Sequence, residues 1–185
     1  MFGMKLRDIL NKTIVFLALL LCSFYCAVKP DPTPEWNFKP EAVKIHYAAD
    51  SLLNAFNEKP HTLVLVVYQM RELDAFNDLA KTEEGLRKLL EFEHFDPSVV
   101  SKDKIIVHPG EEDSLIIDRY ENARWVGIVA GYYNLIPEQV SQKFQIPFAI
   151  KKKGLIRRKK YAEISNMIIE LILGSEAMYK VGNLK

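Results

Sequence analysis

The residues that could do chemistry are few, and their spacing argues against most reactions. Four histidines, His46, His61, His94 and His108, are scattered along 185 residues with no spacing that would let them share a metal ion. Glu111-Glu112-Asp113 offers neighbouring carboxylates of the kind used in acid–base catalysis. It follows His108-Pro109-Gly110, however, and a turn between strands is where a solvated acidic cluster belongs. No Gly-x-Ser-x-Gly elbow and no phosphate-binding glycine loop is present. The other reactive groups are two thiols, Cys22 and Cys26, at the end of an apolar run. The expectation is a protein that is not an enzyme and needs no cofactor or metal.

The segment that positions those thiols reads as an export signal. Lys5, Arg7 and Lys12 form a basic start, and Thr13 to Leu21 is apolar and shorter than the roughly 20 residues of a membrane span. Lys29-Pro30-Asp31-Pro32-Thr33-Pro34-Glu35 follows, which cannot continue a helix and reads as an extended tether. A cysteine between such segments resembles a bacterial lipoprotein junction, where the signal is cut before the cysteine and its thiol and new amine are acylated. Cys26 is the favoured site, because Ser23 stands three before it and the tether begins just after. Cys22 is the fallback, and an uncleaved signal anchor with two incidental cysteines is the alternative. Ala27, rather than an acidic residue, follows Cys26, which by lipoprotein sorting rules implies the outer membrane. The expected organisation is signal 1–25, lipidated cysteine and tether 26–40, and a domain over 41–185.

Residues 26–185 carry 22 basic and 23 acidic side chains, so the domain lacks the excess positive charge of a nucleic-acid binder. With Cys22 removed and Cys26 acylated no disulfide remains, and packing must supply the stability. Val43, Ile45, Tyr47 and Ala49 alternate with polar neighbours as in a half-buried strand. Ser51 to Thr62 reads as a long loop in which Leu53 and Phe56 look exposed. Leu63 to Tyr68 is a continuous apolar run that suits an interior strand. Leu73, Phe76 and Leu79, then Leu86, Leu89 and Leu90 behind the N-cap Thr82, predict two short helices packed on a sheet.

Strands are expected again at 101–107, 114–118 and 124–133, the glycines of the last marking close approaches. Phe144, Ile146, Phe148 and Ile150 predict one edge strand containing Pro147. Lys151, Lys152, Lys153, Arg157, Arg158, Lys159 and Lys160 then flank one glycine. They read either as a solvated hairpin tip or as a patch for anionic lipid or an acidic partner. Ile164 to Leu173 fits a helix or a closing strand equally well. Short strands with one helical interruption favour an all-β sandwich.

Four motifs in order carry a family resemblance: Val67-Tyr68-Gln69-Met70, Leu73-Asp74-Ala75-Phe76, Pro109-Gly110-Glu111 and Trp125-Val126-Gly127-Ile128-Val129-Ala130-Gly131-Tyr132. Behind a lipoprotein signal, this succession resembles the type VI secretion lipoproteins of the TssJ (VasD/SciN) family. The resemblance covers about residues 41–135 well and the last third loosely. It implies a mainly β, transthyretin-like two-sheet sandwich with a short helical insertion after the second strand. It also implies an anchor at the outer membrane, a periplasmic location, and binding to the periplasmic C-terminal domain of the inner-membrane protein TssM alongside other subunits of the secretion membrane complex. In the family the loop between the first two strands makes that contact. Here that loop holds Leu53, Asn54, Phe56, Asn57, Glu58, Lys59 and His61. Phe56 is the expected apolar anchor, with Asn57, Glu58 and Lys59 as the polar rim. The rival readings are a small-ligand carrier on the same sandwich and, more remotely, a transthyretin-like hydrolase, whose Tyr-Arg-Gly-Ser ending Val181–Lys185 lacks.

Overall fold

The structure, a computed structural model, describes residues 30–92, 94–154 and 158–180. The expected signal, Cys22, Cys26, Arg157 and the ending 181–185 lie outside these residues. Thr33–Lys185 forms one compact unit.

Among the described residues ten strands build it: β1 Lys39–Ala49, β2 Leu63–Met70, β3 Val99–Val107, β4 Glu112–Arg119, β5 Trp125–Ala130, β6 Ser141–Gln145, β7 Phe148–Lys153, β8 Lys159–Ile164, β9 Met167–Leu173 and β10 Met178–Lys180. One four-stranded sheet has the order β10-β9-β1-β4, and the other β3-β2-β5-β6. The remaining pair, β7 and β8, forms a two-stranded ribbon by itself. The inner faces of both four-stranded sheets feed a single apolar core, so the fold is a mainly β sandwich.

Each sheet follows from its side-chain pattern. In β1, Val43, Ile45 and Tyr47 are buried while Lys44, His46 and Ala48 face outward. β2 is apolar without interruption because it lies between β3 and β5 and is covered on both faces. The stretch 164–173, open between helix and strand on sequence, holds the end of β8 at Ile164 and, after a two-residue break, strand β9. Met167, Ile169, Leu171 and Leu173 are buried while Ile168 and Ile172 face solvent, and β9 runs parallel to β1 from Val43↔Met167 to Ala49↔Leu173. Pairing to β1 decides what periodicity alone could not.

Two helices, α1 Asp74–Leu79 and α2 Glu83–Glu91, follow β2 as expected. Thr82 caps α2, its hydroxyl accepting from Gly85 N at 3.1 Å, and Glu83 and Glu84 sit in the first turn, where the helix dipole favours acids. Phe76, Leu86 and Leu89 are buried, and the Tyr68 hydroxyl sits between the carbonyls of Leu89 and Phe92. Gly127 on β5 makes room for this insertion, since a Cβ there would lie 2.7 Å from both Met70 Cε and the Phe76 ring. A third helical turn, α3 Pro137–Val140, precedes β6.

Two strands differ from expectation. The run 124–133 is strand only to Ala130, because the chain turns after Gly131 and Tyr133 is exposed. The single strand expected over 144–150 is two, broken at Ile146-Pro147. Proline has no N–H to continue a ladder, so β6 ends in the second sheet and β7 leaves it.

Candidate functional site

The loop between β1 and β2 is held from both ends. Asp50 starts it, accepting from Leu52 N through its side chain at 2.8 Å and from Leu53 N through its carbonyl at 3.0 Å. Leu53, expected at the surface, is fully buried and belongs to the core. This corrects the expectation: the Asp50 turn folds its side chain inward, where hydrophobic burial holds it. Asn54 is also buried, and its amide nitrogen donates to the Thr62 carbonyl at 3.0 Å while its oxygen accepts from Tyr133 N at 2.9 Å. Leu53 and Asn54 therefore support the loop from beneath.

The tip is a two-residue hairpin. Phe56 and Lys59 exchange both backbone hydrogen bonds, at 3.0 and 3.1 Å, around Asn57 and Glu58 at φ +50° and +60°. Two positive φ values in succession define a type I′ turn, which asparagine tolerates well and glutamate poorly. Asn57, Glu58 and Lys59 are exposed.

Phe56 is 50% exposed, and it does not stand alone. Its ring stacks on Tyr133 at 4.7 Å, and His61 meets Tyr133 edge-on at 5.0 Å. Tyr133 is itself 50% exposed, whereas its neighbour Tyr132 points inward and its hydroxyl donates to the Ala177 carbonyl. Burial pushes the Tyr132 phenol well above its ordinary pKa, so it stays a neutral donor. His61 Nδ1 is buried without a hydrogen-bond partner among the described residues. The result is an apolar, partly solvent-facing trio fixed across two loops, the surface type in which aromatic anchors of interfaces are found. Tyr133 was not among the expected site residues. Its signal, a second tyrosine after Gly131, was absorbed into the strand expected there.

The remaining candidates separate from this cluster. Lys151, Lys152, Lys153, Arg158, Lys159 and Lys160 lie exposed on the β7–β8 ribbon. Lys151 reaches Glu163 at 2.7 Å, and that hydrogen bond holds its ammonium pKa above the ordinary value. Glu111 is structural: its carboxylate accepts from the Tyr47 hydroxyl at 2.8 Å and from His108 N at 2.7 Å. Burial first, and this bond second, raises the Tyr47 phenol pKa. Among the described residues no group of histidine, cysteine and carboxylate side chains is placed to hold a metal. Two grooves, of about 560 and 630 Å³, open on the outside of the unit, beside α1 and along β1, β4 and β9.

The two packed sheets, with an aromatic cluster pinned across one pair of loops, define a small β-sandwich protein. The family model described as type VI secretion lipoprotein, VasD, EvfM, TssJ matches residues 41–160, and the chain belongs to that family. No curated protein matches the sequence. Among solved structures, Serratia marcescens Lip, a membrane-bound component of the type VI secretion system, is 17% identical with a TM-score of 0.60, covering 78% of this chain and 100% of its own. The lipoprotein TssJ1 of Pseudomonas aeruginosa is 22% identical with a TM-score of 0.54, covering 79% of this chain and 98% of its own. A chain in the structure of the EAEC TssM C-terminal domain (869–1107) is 10% identical with a TM-score of 0.55, covering 76% of this chain and 98% of its own. At these identities the likeness is one of fold.

Proposed function

We propose that this protein is an outer-membrane-anchored scaffold of a type VI secretion membrane complex. Acyl chains on Cys26 hold it, and it faces the periplasm. The Phe56–Tyr133–His61 cluster captures the periplasmic C-terminal domain of TssM. The role is mechanical: one end is fixed in lipid, the other binds a protein rooted in the inner membrane, and the two membranes are joined around the apparatus. Triple acylation of a lipoprotein cysteine supplies the several chains that stable anchoring requires.

The observation that carries this reading is the stack of two half-exposed aromatic rings, on loops pinned by the buried Asn54, in a chain of this lipoprotein family. Large rings held rigid in advance lose little entropy on binding, which is what a hot spot needs. The test is calorimetry of soluble residues 27–185 against the periplasmic domain of TssM from the same organism, with wild type and Phe56→Ala side by side. Binding weakened in the variant by about 1–2 kcal/mol or more supports the reading. A folded wild type that does not bind would overturn it. Anchoring is tested separately, because Cys26→Ser should move the folded protein from the membrane to the soluble fraction. Retention of that variant would shift the lipid to Cys22 or restore the signal anchor.

A further inference from the structure

The β7–β8 ribbon is built against its own charge. Its strands pair antiparallel from Phe148↔Ile164 to Lys153↔Lys159, and they join neither four-stranded sheet. At the outer end Lys153 lies directly opposite Lys159. Like charges facing each other across a ladder destabilise it, and an isolated two-stranded ribbon has little stability to spare. A solvated surface gains nothing from such a pair. An anionic surface laid against it turns the repulsion into attraction.

Two more observations say which anion. Charge in the chain is polarised: residues 148–164 hold seven bases and one acid, while the rest of 26–185 holds 15 bases and 22 acids. A negatively charged plane would attract the ribbon and repel the remainder, orienting the molecule. Position is the second. Trp36, near the start of the compact unit, packs edge-on against Phe148 at the ribbon's base, ring centroids 6.0 Å apart. The compact unit therefore begins beside the ribbon's base. Cys26 to Pro32 is seven residues, which span at most about 25 Å when extended. Each six-residue arm of the ribbon is about 20 Å long. Tether and ribbon thus have matching reach, and anchoring keeps the local concentration of headgroups high.

We propose that the β7–β8 ribbon is a second membrane contact, taking anionic phospholipid headgroups on Lys152, Lys153 and Lys159 and setting the tilt of the domain on its tether. This placement rests on the lipid-anchored reading, but headgroup binding itself does not need the acyl chains. Soluble residues 27–185, which contain the whole compact unit, separate the two.

The experiment is co-sedimentation with vesicles of phosphatidylcholine alone or with one-third phosphatidylglycerol. Partition into the anionic vesicles, little into the neutral ones, and loss at high salt are expected. Each base near a charged surface contributes about fivefold, so Lys152→Ser, Lys153→Ser and Lys159→Ser together should lower partition about a hundredfold. The three Lys→Arg replacements should retain it, since charge and not shape is read. Removing Lys81 and Arg87, bases of α1–α2 chemistry remote in sequence, should change it less than threefold per base. If the triple serine variant melts early by circular dichroism, Lys153→Ser alone should still show the fivefold step. No partition of wild type into anionic vesicles overturns the proposal and leaves an acidic protein surface as the occupant. Equal loss from the α1–α2 substitutions also overturns it, because total charge rather than the ribbon would then be responsible.

Discussion

Phe56 lies nearly flat on Tyr133, with ring centroids 4.7 Å apart and 22° between the planes, although the residues stand on different loops. Rings that support each other in the free protein should act as a unit in a complex. Under the proposed function, Tyr133→Ala should weaken TssM binding by about 1–2 kcal/mol, and Phe56→Ala with Tyr133→Ala should cost less than the sum of the two. Calorimetry on the four proteins of the cycle measures this. Full additivity would mean that the rings contact the partner separately.

Asn54 joins those loops from below through Thr62 and Tyr133. Asn54→Ala removes both part-buried hydrogen bonds and the packing of a buried side chain, and it should destabilise the fold by about 1 kcal/mol or more. It also frees the loop carrying Tyr133. Urea unfolding should therefore report a lower midpoint, and under the proposed function TssM affinity should fall although Asn54 itself is buried. Unchanged affinity in a folded Asn54→Ala would separate loop pinning from recognition.

Two glycines should rank by what stands opposite them. A Cβ at Gly85 would lie 2.0 Å from the Leu79 carbonyl oxygen, and backbone cannot give way. At Gly127 the nearest atoms are the Met70 Cε and the Phe76 ring, which can shift in part. Gly127→Ala should cost about 1–3 kcal/mol, and Gly85→Ala more. Thermal melts of both variants check the order.

Asp103 should give a pH-dependent effect. Burial, with Asp118 nearby adding to it, raises its pKa above 3.8, despite the hydrogen bond from Ser101. The folded state thus disfavours the ionised carboxylate, so its charge costs stability at neutral pH. That cost vanishes as pH falls through the raised folded value and below the unfolded one. Asp103→Asn should melt higher than wild type at pH 7, and the gap should close on acidification toward pH 3. A gap independent of pH would assign the effect to something other than ionisation.

Most of the sandwich was legible because its strands are locally consistent. The alternation from Val43 to Tyr47, the unbroken apolar run of β2 and the cap at Thr82 each point one way. Gly127 was readable as a close approach, though not as the place where Phe76 sits. What failed depended on distant partners. Ile164–Leu173 carries both periods, and only pairing with β1 selects the strand. Leu53 looked exposed because its loop is polar, yet the Asp50 turn folds it inward. Phe56 was legible as an exposed aromatic, but its stacking on Tyr133 brings together residues far apart in sequence.

The parallel pairing of β1 with β9 has a consequence for how the chain matures. β1 is an interior strand of its sheet, and the neighbour that closes one side is synthesised about 120 residues later. Contacts of such long sequence separation form slowly, since loop closure must be achieved before they contribute. Until Met167–Leu173 emerges, one edge of β1 is unpaired and the core has no lid on that side. Under the proposed periplasmic placement, a chain exported unfolded profits from this delay. It remains threadable for nearly its whole length, and it closes its sheet only after the last strands have been delivered.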